Sequence, residues 1–313
     1  MRTIAAVLVV VSVLVGSCAT VRPLTDVAAS LTTLPMPSGA EVAPSVSGAA
    51  VESCDATASL RPSSAPGPTV DALRRRGRVV VGIDQNSNPL SFRDPITGEL
   101  EGFLVDLSRE IVRDLVGDPG KADFRLVAEP DRIPAVQNET VDILTKATTI
   151  TCPRAEQIAF STVYFEGSQR LLVPRGSPVR EPADLAGKRI CSGLATTSIA
   201  TVARVAPAAT ILGVPNMDDC LVALQQGQAD AASTDDVLLA GMVAQDPNLE
   251  IVGPPLESEP YGIGMNKSQD DLVRAVNSSL NRIRGDGTWV ALYRKWLTAL
   301  GPPPTPPEPK YRD

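Results

Sequence analysis

Strand-like apolar runs alternate with helix-like amphipathic segments through most of this chain, and they form two successive series. The first series begins at "RVVVGID" (residues 78–84) and continues through "ADFRLVAE" and "VDILTKA". The second begins at "KRICSGL" (residues 188–194) and continues through "ATILGV" and "ADAAST". Because strand–helix repeats place helices on the faces of a mostly parallel sheet, the pattern predicts an α/β protein with two lobes in tandem.

Charge and composition exclude several classes of function. The 313 residues carry a formal net charge of −7, which argues against nucleic acid as a partner because nucleic acid needs a basic face. The chain contains no histidine, so Ser–His–Asp and Cys–His catalysis and histidine-based zinc motifs are excluded. We expect no metal and no cofactor, whereas carboxylate, lysine or tyrosine chemistry stays open.

The N-terminus has the pattern of an export signal. One positive charge precedes an apolar run at residues 4–15, followed by Gly16, Ser17 and Cys18. The run is too short to span a bilayer and is typical of a secretory signal peptide. A cysteine after two small residues resembles a bacterial lipobox, in which the cysteine is diacylated. We therefore expect a signal peptide at residues 1–17 and an extracytoplasmic protein anchored to the cell membrane by Cys18; an ordinary signal peptide is the alternative.

Two segments outside the repeats lack any helix or strand period. Residues 18–68 are rich in Pro, Ser, Thr, Ala and Val, which predicts a lipid-anchored disordered tether. A flexible coil of about 50 residues would span roughly 40 Å, enough to hold a domain clear of a membrane surface. The Pro-rich tail at residues 301–313 is polyproline-like and is expected outside the core or along it.

The cysteines predict disulfide bonds. With Cys18 lipidated, four cysteines remain, an even number suited to an oxidising compartment, and three pairings are possible. Cys191 and Cys220 lie in one predicted subdomain, so we expect them to be bonded, which leaves Cys54 with Cys152. Free thiols are the alternative.

Seven short motifs occur in an order that resembles a known family. They are "VGID", "GELEGFLVDL", "TTITCPR…FSTVY", "DLAGKRI…TTS", "ADAASTDD", "YGIGMNK" and "IRGDGTW…LYRKWL". In this order they resemble the polar amino-acid-binding proteins of ABC importers, bacterial extracellular solute-binding protein family 3. The resemblance is greatest to the glutamine and glutamate/aspartate branch, and it covers roughly residues 78–297.

The resemblance implies a fold and a function. The fold would be of the periplasmic-binding-protein type II, with two α/β lobes joined by a two-segment hinge. Residues 69–165 and 259–300 would form lobe 1 and residues 166–258 lobe 2, with crossings near residues 164–168 and 257–261. The protein would bind aspartate, glutamate, asparagine or glutamine as a monomer and deliver it to an ABC permease, without catalysis.

A buried amino acid needs a partner for its α-carboxylate and another for its α-ammonium group. The resemblance assigns the carboxylate to Arg154 and Thr149 of lobe 1 and to the "GLATTS" turn of lobe 2. It assigns the ammonium to Asp235, with Asp236 as the helix N-cap. The side chain would be recognised near Asp84, Lys146 and Thr234, without the aromatic cover that many members have. The nine expected ligand-binding residues are Asp84, Lys146, Ala147, Thr149, Arg154, Thr196, Thr197, Thr234 and Asp235.

Two other functions stay open at this point. Family relatives include dehydratases acting on cyclohexadienyl acids, and such an enzyme would need a carboxyl general acid, for which Glu166 is the candidate. Alternatively, the closed lobes would dock on a membrane sensor domain instead of, or besides, an importer permease.

Overall fold

The computed structural model describes residues 34–46, 54–65 and 67–313, so the expected signal peptide and Cys18 lie outside the described residues. The unit described below comprises residues 36–313. Its strands are β1 (Glu41–Val42), β2 (Val79–Ile83), β3 (Asn86–Ser87), β4 (Ser91–Arg93), β5 (Leu100–Glu101), β6 (Ala122–Leu126), β7 (Ile143–Leu144), β8 (Ala159–Phe160), β9 (Phe165–Pro174), β10 (Arg189–Gly193), β11 (Thr210–Val214), β12 (Ala231–Asp235), β13 (Leu249–Tyr261) and β14 (Gly264–Met265). Its α-helices are α1 (Pro68–Arg76), α2 (Phe103–Val116), α3 (Arg132–Gln137), α4 (Cys152–Gln157), α5 (Thr197–Val205), α6 (Asp219–Gln225), α7 (Asp236–Gln245), α8 (Asp270–Gly285) and α9 (Thr288–Trp296).

Lobe 1 is built on the sheet β6-β2-β7-β14-β8. Strand β2 runs parallel to β6 and β7, and all its residues are buried, as expected for a strand covered on both faces. Helix α2 packs on one face together with α8 and α9, which return from the end of the chain. The indole N–H of Trp289 in α9 donates to the carbonyl of Tyr164 (2.7 Å), so the C-terminal helices complete the core of lobe 1.

Lobe 2 is built on the sheet β1-β11-β10-β12-β9-β13. Strand β10 is parallel to β11 and β12, whereas β9 is antiparallel to β12. Side chains alternate between its faces: Ile190 packs with α5, and its neighbour Cys191 packs with α6 and α7. The lobe therefore has a hydrophobic core on each face of its sheet.

The long antiparallel pair of β9 and β13 joins the two lobes. At one end Phe165 pairs with Tyr261, and both belong to the core of lobe 1. At the other end Leu172 and Leu249 belong to a core of lobe 2. The pair therefore passes from one lobe to the other.

Parts of the segment expected to be a disordered tether are ordered against the folded unit. Strand β1 pairs with β11, and helix α1 begins at Pro68. The Ser59 hydroxyl donates to the carbonyl of Phe160 (2.6 Å), and Leu60 is 8% exposed. Composition fails here because the packing depends on a few buried side chains and on backbone pairing with distant residues.

The Pro-rich tail lies along lobe 1, one of its two expected positions. Tyr311 pairs with Ser59 in a β-bridge, and the carboxylate of Asp313 forms an ion pair with Arg274 of α8 (2.5 Å). The tail and residues 59–61 thus hold each other against α8.

Both expected disulfides are present in the structure, Cys54–Cys152 and Cys191–Cys220. The first bond attaches the segment before α1 to the start of α4. The second joins β10 to α6 inside lobe 2. Within residues 34–46, 54–65 and 67–313, no helix has both the length and the apolar character needed to cross a membrane.

Candidate functional site

A small cavity of about 40 Å³ lies where the strand ends of both lobes converge. Side chains at the carboxyl ends of parallel strands meet at one edge of a sheet, and in open α/β sheets ligands bind at such an edge. Here the ends of β2, β7 and β12 and the start of α5 contribute. All nine residues that the resemblance implicated line this one cavity: Asp84, Lys146, Ala147, Thr149, Arg154, Thr196, Thr197, Thr234 and Asp235.

Arg154 supplies a half-buried cation at one end of the cavity. It lies in α4, whose N-cap Thr151 accepts a hydrogen bond from the Arg154 amide (3.4 Å), and Arg154 Nη1 donates to the carbonyl of Thr149 (2.8 Å). Burial, and next the nearby Arg132, lower the pKa of Arg154 to about 10. Among the described residues Arg154 forms no ion pair, so its half-buried guanidinium is available to an incoming carboxylate.

The start of α5 faces Arg154 from lobe 2. Thr196 is the N-cap residue: its hydroxyl accepts from the amide of Ile199 (3.2 Å) and donates to the carbonyl of Gly193 (2.7 Å). The Thr196 hydroxyl therefore serves the local turn. The Thr197 hydroxyl points toward lobe 1 and lies 3.4 Å from that of Thr149. A helix N-terminus favours negative charge, so this turn suits a bound carboxylate.

Two buried carboxylates add negative charge: Asp235 lines the cavity, and Glu259 lies beside its lining, near Arg154. Asp235 accepts a hydrogen bond from the hydroxyl of Tyr261, and Glu259 Oε2 accepts from the hydroxyls of Thr149 and Thr197. The other oxygens, Asp235 Oδ1 and Glu259 Oε1, are buried and have no hydrogen-bond partner among the described residues. Burial raises the pKa of both groups, and the proximity of Glu259 raises that of Asp235 further. Such oxygens are costly unless a cation joins them.

The expected N-cap role of Asp236 is wrong. Helix α7 begins at Asp236, and Asp235 occupies the N-cap position without a side-chain capping bond. Asp236 Oδ1 accepts instead from the amides of Val237 (2.8 Å) and Ser168 (3.2 Å) in β9. The side chain of Asp236 therefore turns to the hinge, while that of Asp235 lines the cavity.

Lys146 lines the far end of the cavity and does not point to the surface. Its ammonium lies 3.0 Å from Asp84 Oδ2 and 3.1 Å from Glu129 Oε1, and it donates to the carbonyl of Val127 (2.7 Å). The lysine is 2% exposed. The ammonium of Lys146 is therefore already paired with two carboxylates of lobe 1 when no ligand is bound.

Arg132 is a second buried cation at this end, and it connects the lobes. It forms an ion pair with Glu129 (3.0 Å) and donates to the carbonyl of Ala147 (3.3 Å) within lobe 1. Its other terminal nitrogen donates to the carbonyl of Ala195 in lobe 2 (3.1 Å). Arg132 therefore holds Glu129 at the cleft and forms a hydrogen bond from lobe 1 to lobe 2.

Sequence reasoning missed four charged residues of the site: Glu129, Arg132, Asp218 and Glu259. The i,i+3 spacing of Glu129 and Arg132 is the one local signal for that pair. Asp218 and Glu259 gave no signal, because a charged residue next to a helix start or inside a strand is ordinarily solvated.

The rest of the lining is small or apolar. Leu90, Leu104, Met217 and Leu238 contribute the apolar surface, and none of the described residues that line the cavity is aromatic. The cavity can therefore pair both charges of a small zwitterion without stacking a large ring.

Comparison with known proteins agrees with this geometry. The sequence model of the family "bacterial extracellular solute-binding proteins, family 3" matches residues 79–299. The chain is 35% identical over 230 residues to an ABC transporter glutamine-binding protein of Bacillus subtilis, covering 73% of this chain and 84% of that protein. It is 29% identical over 250 residues to a glutamate/aspartate import solute-binding protein of Salmonella typhimurium, covering 76% of this chain and 82% of that protein.

Solved structures include similar folds. One is an ancestral amino acid-binding protein, a precursor of cyclohexadienyl dehydratase, with a TM-score of 0.68 and 30% identity; the match covers 73% of this chain and 99% of that one. Another, an ancestral arginine-binding protein bound to glutamine, has a TM-score of 0.67 and 33% identity, and covers 71% of this chain and 98% of that one. These similarities extend over both lobes.

Proposed function

Because the chain belongs to family 3 of the bacterial extracellular solute-binding proteins, we propose that it binds a polar L-amino acid between its lobes and delivers it to an ABC importer. One observation carries the binding role. A single small cavity presents Arg154, a half-buried cation that forms no ion pair with the described residues, and Asp235 Oδ1, a buried oxygen without a donor among them; Glu259, which has a second such oxygen, is hydrogen-bonded to Thr149 and Thr197 of the lining. A free α-amino acid supplies the two charges that these groups lack.

The ligand set is aspartate, glutamate, asparagine and glutamine. The cavity is small, about 40 Å³, which disfavours a ligand with a large ring. Charged groups of both signs surround the far end, and aromatic rings are missing from the described lining. Both features support a polar ligand over an aromatic or long one.

The candidate general acid of the enzymatic alternative, Glu166, does not lie at the site. Glu166 is exposed, lies in β9 and is not among the residues that line the cavity. Relatives that the chain resembles are solute-binding proteins. No specific observation favours docking on a membrane sensor.

The location of the protein follows from its family. Members are extracellular solute-binding proteins, and we propose further that a lipid on Cys18 anchors this one to the cell membrane. The support is the sequence pattern alone, because Cys18 lies outside the described residues.

The proposed function is tested by calorimetric titration of the purified protein, unfolded and refolded to remove carried-over ligand, with each of the twenty amino acids. We expect binding of at least one of the four named ligands. Arg154→Ala should weaken every ligand by about 3 kcal/mol, more than a hundredfold, because the α-carboxylate loses its charge partner.

The matched control is Arg204→Ala in α5, which removes a half-exposed arginine paired with Glu257 outside the cavity lining. This control should bind with wild-type affinity. Unchanged affinity in Arg154→Ala would show that the carboxylate site is assigned wrongly.

A further inference from the structure

Unlike the other carboxylates at the far end of the cavity, Asp218 has no cationic partner among the described residues. It lies in the loop between β11 and α6 of lobe 2, at the N-cap position of α6, and its side chain makes no capping bond. Asp84 Oδ1 accepts from the amides of Gln85 and Asn86, and Asp84 Oδ2 is paired with Lys146. Asp218, by contrast, forms no ion pair with any described residue, so it is the carboxylate left to meet a ligand.

The charges of lobe 1 at this end already balance. Two carboxylates, Asp84 and Glu129, share two cations, Lys146 and Arg132. An ionised Asp218 adds one negative charge with no counterpart. Its neighbour Asp219 adds to the repulsion, and no cation is among the main influences on Asp218.

Burial, followed by the proximity of Asp84 and Asp219, raises the pKa of Asp218 to about 7. In the closed cleft this group therefore changes its charge near neutral pH, whereas an ordinary aspartate is ionised there. A carboxylate can only accept hydrogen bonds, and a carboxylic acid can also donate one. The two forms of Asp218 therefore suit different ligand side chains.

We propose that Asp218 is the specificity-determining residue that distinguishes amide from acid side chains of the ligand. This inference rests on the proposed amino-acid binding. Its ionised form accepts an N–H of asparagine or glutamine. Its protonated form donates to the carboxylate of aspartate or glutamate. An acidic ligand thus takes up one proton into the site when the solution pH lies above the pKa of Asp218.

The pH dependence follows with a defined sign. Above the pKa of Asp218 the affinity for an acidic ligand falls about tenfold for each pH unit, because one proton must bind with it. The affinity for the matching amide does not need this proton. The ratio of amide to acid affinity therefore rises with pH, and comparing the two ligands cancels the titration of groups they share.

The experiment measures dissociation constants for glutamine and glutamate, and for asparagine and aspartate, between pH 5.5 and 8.0. In the wild-type protein the amide-to-acid ratio should be level near pH 5.5 and rise about fivefold between pH 7 and 8, on the way to a limiting slope of about tenfold per pH unit. Calorimetry at pH 8.0 in two buffers of different ionisation enthalpy should show uptake of about one proton with the acid and less with the amide.

Asp218→Asn should make the ratio independent of pH, because an asparagine both donates and accepts at every pH. At pH 8.0 this variant should bind the acidic ligand at least tenfold more tightly than the wild type does. The matched control, Asp219→Asn, changes the same charge one residue outside the cavity lining. It should keep the tenfold slope and move the onset to lower pH, because Asp219 contributes to the raised pKa of Asp218.

A wild-type ratio that does not change with pH, or a slope that persists in Asp218→Asn, would overturn the inference while leaving amino-acid binding intact. Failure of all four ligands to bind at any pH would overturn the proposed function itself. If Asp218→Asn does not fold, the proton count in the wild-type protein decides, and equal uptake with amide and acid would refute the role.

Discussion

At the scale of single residues, the site contains buried and half-buried charged groups that are not fully paired, which folded proteins ordinarily avoid. Asp235 and Glu259 are buried, and each has an oxygen without a hydrogen-bond donor among the described residues; the half-buried Arg154 forms no ion pair with them. Groups of this kind cost stability in the free protein. A ligand that pairs with these groups offsets this cost. The same charges therefore lower the stability of the ligand-free protein and favour binding of a zwitterion.

Asp235→Asn tests the ammonium site. The change keeps an acceptor for the Tyr261 hydroxyl and removes the negative charge, so all amino-acid ligands should weaken alike, by about 2 kcal/mol or more. Calorimetry with two or more ligands measures this. Asp236→Asn, whose carboxylate faces the hinge, is the control and should bind normally. Reordered preferences in Asp235→Asn would mean that Asp235 contacts the ligand side chain instead.

The same variant has a predicted effect on stability. The pKa of Asp235 is raised in the folded protein, so the ionised form opposes folding, and its cost grows as pH rises from about 4 through the folded-state pKa. Asp235→Asn removes this cost. Thermal unfolding without ligand should therefore occur at a higher temperature in the variant than in the wild type at pH 7, with a smaller difference at pH 4.

At the scale of elements, helix α7 is a point of close approach between the lobes. A Cβ atom added to Gly241 in the middle of α7 would lie 1.7 Å from the carbonyl oxygen of Asn88, in the hairpin between β3 and β4 of lobe 1. Glycine costs a helix interior about 1 kcal/mol relative to alanine. Glycine at this position leaves room for the backbone of lobe 1, which a side chain would not.

Gly241→Ala should therefore disfavour closure of the lobes without destabilising the fold. Alanine stabilises α7 itself, while the Cβ atom forces lobe 1 away and disfavours the closed arrangement that a ligand needs. We expect ligand affinity to fall at least tenfold, with thermal unfolding of the free protein unchanged or raised. Calorimetry and a thermal melt measure the two effects.

Gly285→Ala is the matched control, because Gly285 also lies in a helix and a Cβ there meets nothing within 4 Å. It should leave the affinity unchanged. If Gly241→Ala lowered the unfolding temperature and left affinity unchanged, the α7–hairpin contact would be a fixed part of the fold rather than a part of closure.

At the scale of the whole molecule, part of the N-terminal segment packs on the folded unit, and the part before it would attach the protein to the membrane. Residues 41–42 extend the sheet of lobe 2, and the Cys54–Cys152 disulfide holds the following segment to lobe 1. The length available as a free tether is therefore shorter than composition predicted. Cys18, by sequence pattern, would be the point of membrane attachment.

Cys18→Ser should release the protein from the membrane fraction, because serine cannot form the thioether that carries the lipid. Fractionation of the native host cells, followed by detection of the protein, measures this. Ser17→Ala keeps a small residue before the cysteine and should stay membrane-bound. Both variants should bind ligand normally. Retention of Cys18→Ser in the membrane would contradict lipid anchoring.

The sequence by itself determined the two-lobed architecture and predicted residues that the structure brings together in one cavity. Apolar alternation sets where strands end, and residues just after strand ends, such as Asp84, Lys146 and Asp235, necessarily gather at the edge where the lobes meet. The order of seven motifs added the family, which supplied the hinge and Arg154.

Only the tertiary structure decided which charges face one another. Glu129, Arg132, Asp218 and Glu259 come from separate elements, and their meaning depends on burial and on partners far away in the chain. The same holds for Ser59 and Leu60, whose order rests on contacts with Phe160 and Asn277. Local pattern predicts where the backbone goes, whereas desolvation and pairing of charges are properties of the assembled fold.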